Sequence, residues 1–144
     1  MLQGEAKALY TSRRSSGVDL SDPALTEAWA KVRSDESAED WCAFTYSGSS
    51  STVLALLGCG CGGVAELCSS LSENIVAFCG LRVLIGGRPR FFRVAFVGEH
   101  VGGMKKGKAA LHKNAAFNIL EGASGGDHSF GSIPEFLAGA QAFS

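Results

Sequence analysis

Between an apolar run and the start of an expected helix the chain reads Gly58-Cys59-Gly60-Cys61-Gly62-Gly63, the stretch whose residue types most invite chemistry. Its G-x-G-x-x-G spacing is that of a dinucleotide loop, where glycines let backbone amides approach a pyrophosphate at a helix N-terminus. That chemistry also wants a carboxylate about 20 residues further on to hold the ribose, and Cys79-Gly80-Leu81-Arg82 occupies that region instead. The preceding strand reads as one arm of an antiparallel hairpin, not as the first strand of a crossover unit. A strand-to-helix loop is therefore expected, with a nucleotide-binding enzyme built on Gly58 to Gly63 as the alternative. Cys59, Cys61, Cys68 and Cys79 are four possible thiolate ligands, but zinc sites favour C-x-x-C pairs, in which both sulfurs can face one ion. Surface thiols open to oxidation are expected there, and no metal. His100, His112 and His128 stand near no G-x-S-x-G elbow, and no cysteine lies in a recognisable nucleophile context. No catalytic group and no cofactor is expected.

A second chemistry-bearing stretch runs from Arg88 to Lys113. On a helix starting near Gly103, residues Met104, Gly107, Leu111 and Ala115 fall on one side at 100° per residue. Lys105, Lys106, Lys108, His112 and Lys113 spread over the rest, so the spacing predicts an apolar side packed on a sheet and lysines turned outward. Arg90 comes shortly before, on the incoming strand. The formal net charge of the whole chain is −1, so this basic character is local. It suits an acidic protein surface better than nucleic acid, which asks for a broader basic footprint.

Those residues need elements to hold them. Ser21 or Asp22 can cap a helix with Pro23 early in it, and Leu25, Trp29 and Val32 mark its apolar face. Trp41 to Tyr46 is rich in aromatic residues and reads as a strand, with Thr52 to Leu57 returning after a Gly/Ser turn. Val64 to Leu71 reads as a short helix. Asn74 to Leu84 is apolar enough to be a central strand buried on both faces, and Arg90 to Val97 is the next strand. A helix over about Met104 to Leu120, a glycine-rich stretch holding one short strand, and a last helix over Pro134 to Phe143 complete the order. This succession predicts a mixed sheet with helices on both faces.

The 144 residues fit one domain, and 46% hydrophobic with 19% charged residues is a globular composition. With so small a net charge, no global field draws the chain to nucleic acid or to a membrane. Glu5 and Lys7 interrupt any signal-peptide core, and no run approaches the roughly 18 apolar residues of a membrane span. Five cysteines, an odd number, then read as reduced thiols, several at core positions, and the expected address is cytoplasmic. Residues 1–19 are expected to form a flexible extension, with the folded domain over 20–144. In that extension Arg13-Arg14-Ser15-Ser16 has the form of a basic-directed kinase site.

Three stretches resemble the coactosin branch of the actin-depolymerising-factor homology (ADF-H, cofilin-like) family. Ala28 to Asp35 with Trp41 to Tyr46 resembles its first helix and strand, and Asn74 to Val83 its central strand. Arg90-Phe-Phe-Arg-Val-Ala-Phe-Val-Gly-Glu-His-Val-Gly-Gly-Met-Lys-Lys-Gly-Lys resembles the strand, turn and helix start that face actin. The resemblance covers about residues 20–143 and implies an α+β fold, three-layered α/β/α, with a mixed sheet of five or six strands and no cofactor. It implies a non-catalytic, monomeric protein associated with the actin cytoskeleton that binds filamentous actin, with little severing and weak or no monomer binding. Arg90, Lys105, Lys106, Lys108 and Lys113 match positions used for filament contact. Arg90 stands where lysine is usual and Phe96 where tryptophan is frequent. The start lacks the short serine-bearing segment of cofilins, which sets cofilin-like monomer binding and regulation in doubt. A domain of this fold adapted to another protein partner is the remaining alternative.

Overall fold

The computed structural model describes residues 17–143. Helix α1 spans Pro23–Arg33, strand β1 Trp41–Tyr46, β2 Leu54–Gly60, helix α2 Gly63–Ser69, β3 Val76–Ile85 and β4 Arg88–Val97. Helix α3 spans Gly103–Asn118, β5 Gly126–Phe130 and α4 Ile133–Ala140, closed by a 3-10 turn at Gln141–Phe143. The sheet order is β2-β1-β3-β4-β5. Every neighbouring pair is antiparallel except β4 with β5, which run parallel with Ala95 opposite Ser129. This is the mixed sheet, five-stranded, that the element order predicts.

The local reasons are conventional. Asp22 accepts the Ala24 amide at 3.0 Å, Pro23 begins α1, and Leu25, Ala28, Trp29 and Val32 are its buried residues. In β1, Cys42, Phe44 and Tyr46 enter one core, whereas Trp41 and Ala43 enter the other. In β3, Val76 and Phe78 join the first core while Ala77, Cys79 and Leu81 join the second, so this central strand is buried on both faces as expected. Helices α1 and α3 cover the first face; α2 and α4 cover the second. Gly80 lies where Trp29 crosses the sheet: a Cβ there would overlap the Trp29 ring and stand 3.3 Å from Leu120 Cδ2. Trp29 is further held by its indole N–H, which donates to the Glu121 carbonyl at 3.0 Å.

The boundary at the start differs from expectation. Val18 and Leu20 are buried, and Asp19 pairs with the segment before β2, its amide donating to the Thr52 carbonyl at 2.6 Å. Residues 18–20 therefore belong to the packed domain, because two apolar residues flanking Asp19 fill the core edge beside α1. Residues 1–16, with the Arg13 to Ser16 motif, lie outside the described residues.

Candidate functional site

The loop that invited nucleotide chemistry is filled by the chain's own carboxylates. Gly58 and Gly60 belong to β2, an antiparallel edge strand. Glu66 Oε1 accepts the Gly62 amide at 3.1 Å and the Trp41 indole N–H at 2.7 Å, while Asp40 Oδ1 accepts the Gly63 amide at 3.0 Å. The amides that would cradle a phosphate already have anionic partners, and the Trp41 bond, then the Gly62 amide, holds the Glu66 carboxyl below the usual carboxylate range. Cys59 and Cys61 are exposed; Cys42, Cys68 and Cys79 are buried. Burial pushes the Cys42 thiol up to about 12 and Cys79 well above its ordinary value, so both are inert packing groups. Among the described residues no group of three or more His, Cys, Asp or Glu is placed to hold a metal.

Helix α3 is turned differently from the expectation. Its buried residues are Ala109, His112, Ala116 and Phe117. Met104 is 82% and Leu111 66% exposed, and Gly107 is open between them. The expected inner side is thus the outer crest, with only Ala115 partly buried against the core. The reason is volume. The sheet beneath already presents Tyr46 and Phe78, which meet edge to face, and Phe117 packs edge-on against Phe78. Over those two rings α3 sets Ala109, Ala116 and a flat imidazole, while Phe117 fills the space beside Phe78. His112 is satisfied there: Tyr46 Oη lies 2.6 Å from His112 Nδ1. Burial, then Lys108, moves the imidazole pKa down, and burial raises the Tyr46 phenol to about 12. Both groups are accordingly neutral where the hydroxyl and the imidazole meet.

The lysines flank this crest. Lys108 Nζ donates to Ser51 Oγ at 3.0 Å on the side of the β1–β2 turn, and Lys105 Nζ stands 5.7 Å from the Tyr46 ring centroid. Lys106 and Lys113 line the opposite side, along a cleft that opens toward β5. Arg90 is not brought to them. It sits on the β3–β4 hairpin opposite Val83 and donates to the Ser124 carbonyl at 3.2 Å. Arg93 reaches the Phe117 carbonyl at 2.9 Å, so Arg90 lies past the C-terminal end of α3, away from Lys105 and Lys106. The hairpin carries its own exposed group, Leu84, Arg88 and Arg90.

Two features of the site went unread in the sequence. Helix α3 starts at Gly102 and Gly103 with no side-chain cap and no acidic residue in its first turn, and carries Lys105 and Lys106 there. Cations at a helix N-terminus oppose the macrodipole at about 0.3–1 kcal/mol each, and a mid-helix glycine such as Gly107 costs about 1 kcal/mol against alanine. A Cβ at Gly102, Gly103 or Gly107 would meet nothing within 4 Å, so internal packing does not require these glycines. The other is Glu73, whose carboxylate accepts the Glu99 amide at 3.0 Å and the Ile133 amide at 2.9 Å, tying the turn before α3 to the start of α4. A lone glutamate in a turn carries no sequence signal of that role.

A long helix with a bare crest and cationic flanks, laid on a five-stranded mixed sheet, defines an actin-depolymerising-factor homology domain. The family model described as cofilin/tropomyosin-type actin-binding protein matches residues 17–128, and the chain belongs to that family. It is 38% identical over 103 residues to the drebrin-like protein of Mus musculus, an alignment covering 70% of this chain and 23% of that protein. Coactosin of Dictyostelium discoideum is 33% identical over 110 residues, covering 72% of this chain and 73% of the relative. The chain thus spans about a quarter of the length of the drebrin-like relatives but most of that coactosin. The crystal structure of coactosin from Entamoeba histolytica superposes with a TM-score of 0.76 at 21% identity, over 88% of this chain and 93% of the other. At that identity the likeness speaks for the fold.

Proposed function

We propose that this chain is a non-catalytic actin-binding protein of the coactosin type, which docks on filamentous actin through the outer side of α3. It acts as a monomer in the cytoplasm with the actin cytoskeleton, with little severing and weak monomer binding. The observation that carries this reading is the crest Met104-Gly107-Leu111, exposed and flanked by Lys105, Lys106, Lys108 and Lys113. Exposed apolar side chains beside an unpacked glycine let a partner approach the helix backbone closely, and the lysines complement an acidic partner. Arg90, with Arg88 and Leu84, forms a second patch at the far end of the sheet, suited to a neighbouring subunit of a polymer.

Co-sedimentation with filamentous actin over a salt series tests the proposal. The chain is expected in the pellet at low salt and progressively released as screening shortens toward about 8 Å at 0.15 M. Lys106→Ala with Lys113→Ala should weaken pelleting and flatten the salt dependence. Arg90→Ala should weaken it independently and additively, the two patches sharing no partner. A folded protein that stays in the supernatant at low salt overturns the proposal and points to a different protein partner.

A further inference from the structure

We propose that the cleft between α3 and β5 binds a small amphipathic carboxylate, one acidic head on an alkyl chain. The cleft has a volume of about 440 Å³, within the roughly 300–1,000 Å³ typical of ligand sites. It exists because α3 lies over β3 and β4 while β5 extends the sheet beyond the helix. The facing side chains there are small, Ala95 and Ser129 side by side in the sheet and Ala109 on the helix, so the chain does not fill the gap. Phe78 and Val97 complete an apolar interior, while the Phe130 ring turns to the other face of the sheet, against Phe136.

Its rim is cationic on one side. Lys106 and Lys113 both line the cleft, seven residues apart and therefore about 10 Å apart along the helix. Neither forms an ion pair among the described residues, where Arg93 with Asp127 is the pair present. Lys113 Nζ lies 6.0 Å from the Phe117 ring centroid, and Lys106 is exposed. Glu135 stands on the opposite rim. Two ammonium groups against one carboxylate leave room for a single further negative charge. Glu135 disfavours a polyanion, and the apolar interior rewards a tail that a simple anion lacks. The chemistry selected is a monoanion with a chain.

Titration of the ¹⁵N-labelled full chain with sodium decanoate, kept monomeric, tests this. Saturable amide shifts are expected at Ala109, Ala110, Ser129 and Gly131, with decanol and decyltrimethylammonium at least about tenfold weaker and butyrate inert. Ala110→Leu, at an exposed position that crowds the cleft, and Lys113→Ala should each weaken decanoate by about tenfold with unchanged melting temperature. Absence of saturable shifts, equal binding of the cationic amphiphile, or full affinity in both variants overturns the proposal. Binding to phosphatidylserine/phosphatidylcholine vesicles without decanoate shifts would reassign the lysines to a membrane surface and also overturn it. Actin is absent throughout, so the outcome is independent of filament binding.

Discussion

Leu111→Ala and Met104→Ala separate the observed rotation of α3 from the one its hydrophobic pattern implies. Leu111 is 66% and Met104 82% exposed, so truncating either should change stability by no more than about 0.5 kcal/mol, as for ordinary surface positions. In a chain of this size that is a shift of about 2 °C or less in Tm. Were the two side chains packed inward, each truncation would cost about 2–5 kcal/mol. Phe117→Ala, at a ring that is buried, supplies that scale as an internal control, at about 3–5 kcal/mol. Filament affinity should respond in the opposite sense. Burying a large apolar side chain contributes about 1.5–3 kcal/mol, and alanine retains part of it. A loss of about 1–2 kcal/mol, five- to thirtyfold in Kd, is therefore expected for each. Urea melts and co-sedimentation on the same preparations read both quantities. A Leu111→Ala midpoint that falls as far as that of Phe117→Ala refutes the helix orientation. Unaltered midpoints with unaltered pelleting refute the role assigned to the crest.

Gly80→Ala should destabilise by about 1–3 kcal/mol through overpacking, despite the roughly 0.5–1 kcal/mol that alanine ordinarily gains over glycine within a strand. Trp29 and Leu120 already occupy the space of the new methyl; an unchanged urea midpoint would contradict this. Stability should also fall on acidification in two stages. His112, facing Tyr46 with Lys105 and Lys108 nearby, has a lowered pKa. The unfolded chain therefore takes up the proton first, and stability declines as pH drops below about 6.5. Glu73, held down by the Glu99 and Ile133 amides, and Glu66 add a further loss as pH falls below the usual glutamate range. Replacing the pair with Tyr46→Phe and His112→Phe should remove His112's share of the higher-pH decline in denaturation midpoints and leave the second stage.

The elements and their order were legible in the residues, because capping, alternation and apolar runs are local. Asp22-Pro23 starts α1 and the Trp41 to Tyr46 alternation makes β1. The mostly apolar stretch around Phe78 reads as a strand covered on both faces, and it is one. The lysine concentration after Gly103 was equally plain. The last two amides of the glycine motif met Glu66 and Asp40 only after folding, since nothing local foretells which carboxylate turns back onto an amide. Arg90 and the lysines, 15 or more residues apart in sequence, were parted because Arg90 shares its strand face with Phe92 and its partner Val83, on the second core, whereas α3 covers the first. Helical periodicity establishes that α3 has two unlike sides, but not which of them the sheet accepts. With Tyr46 and Phe78 already standing in the interlayer, the side bearing Ala109, His112 and Ala116 fits and the side bearing Met104 and Leu111 does not. The choice belongs to the packed volume between two layers, a quantity no single segment contains.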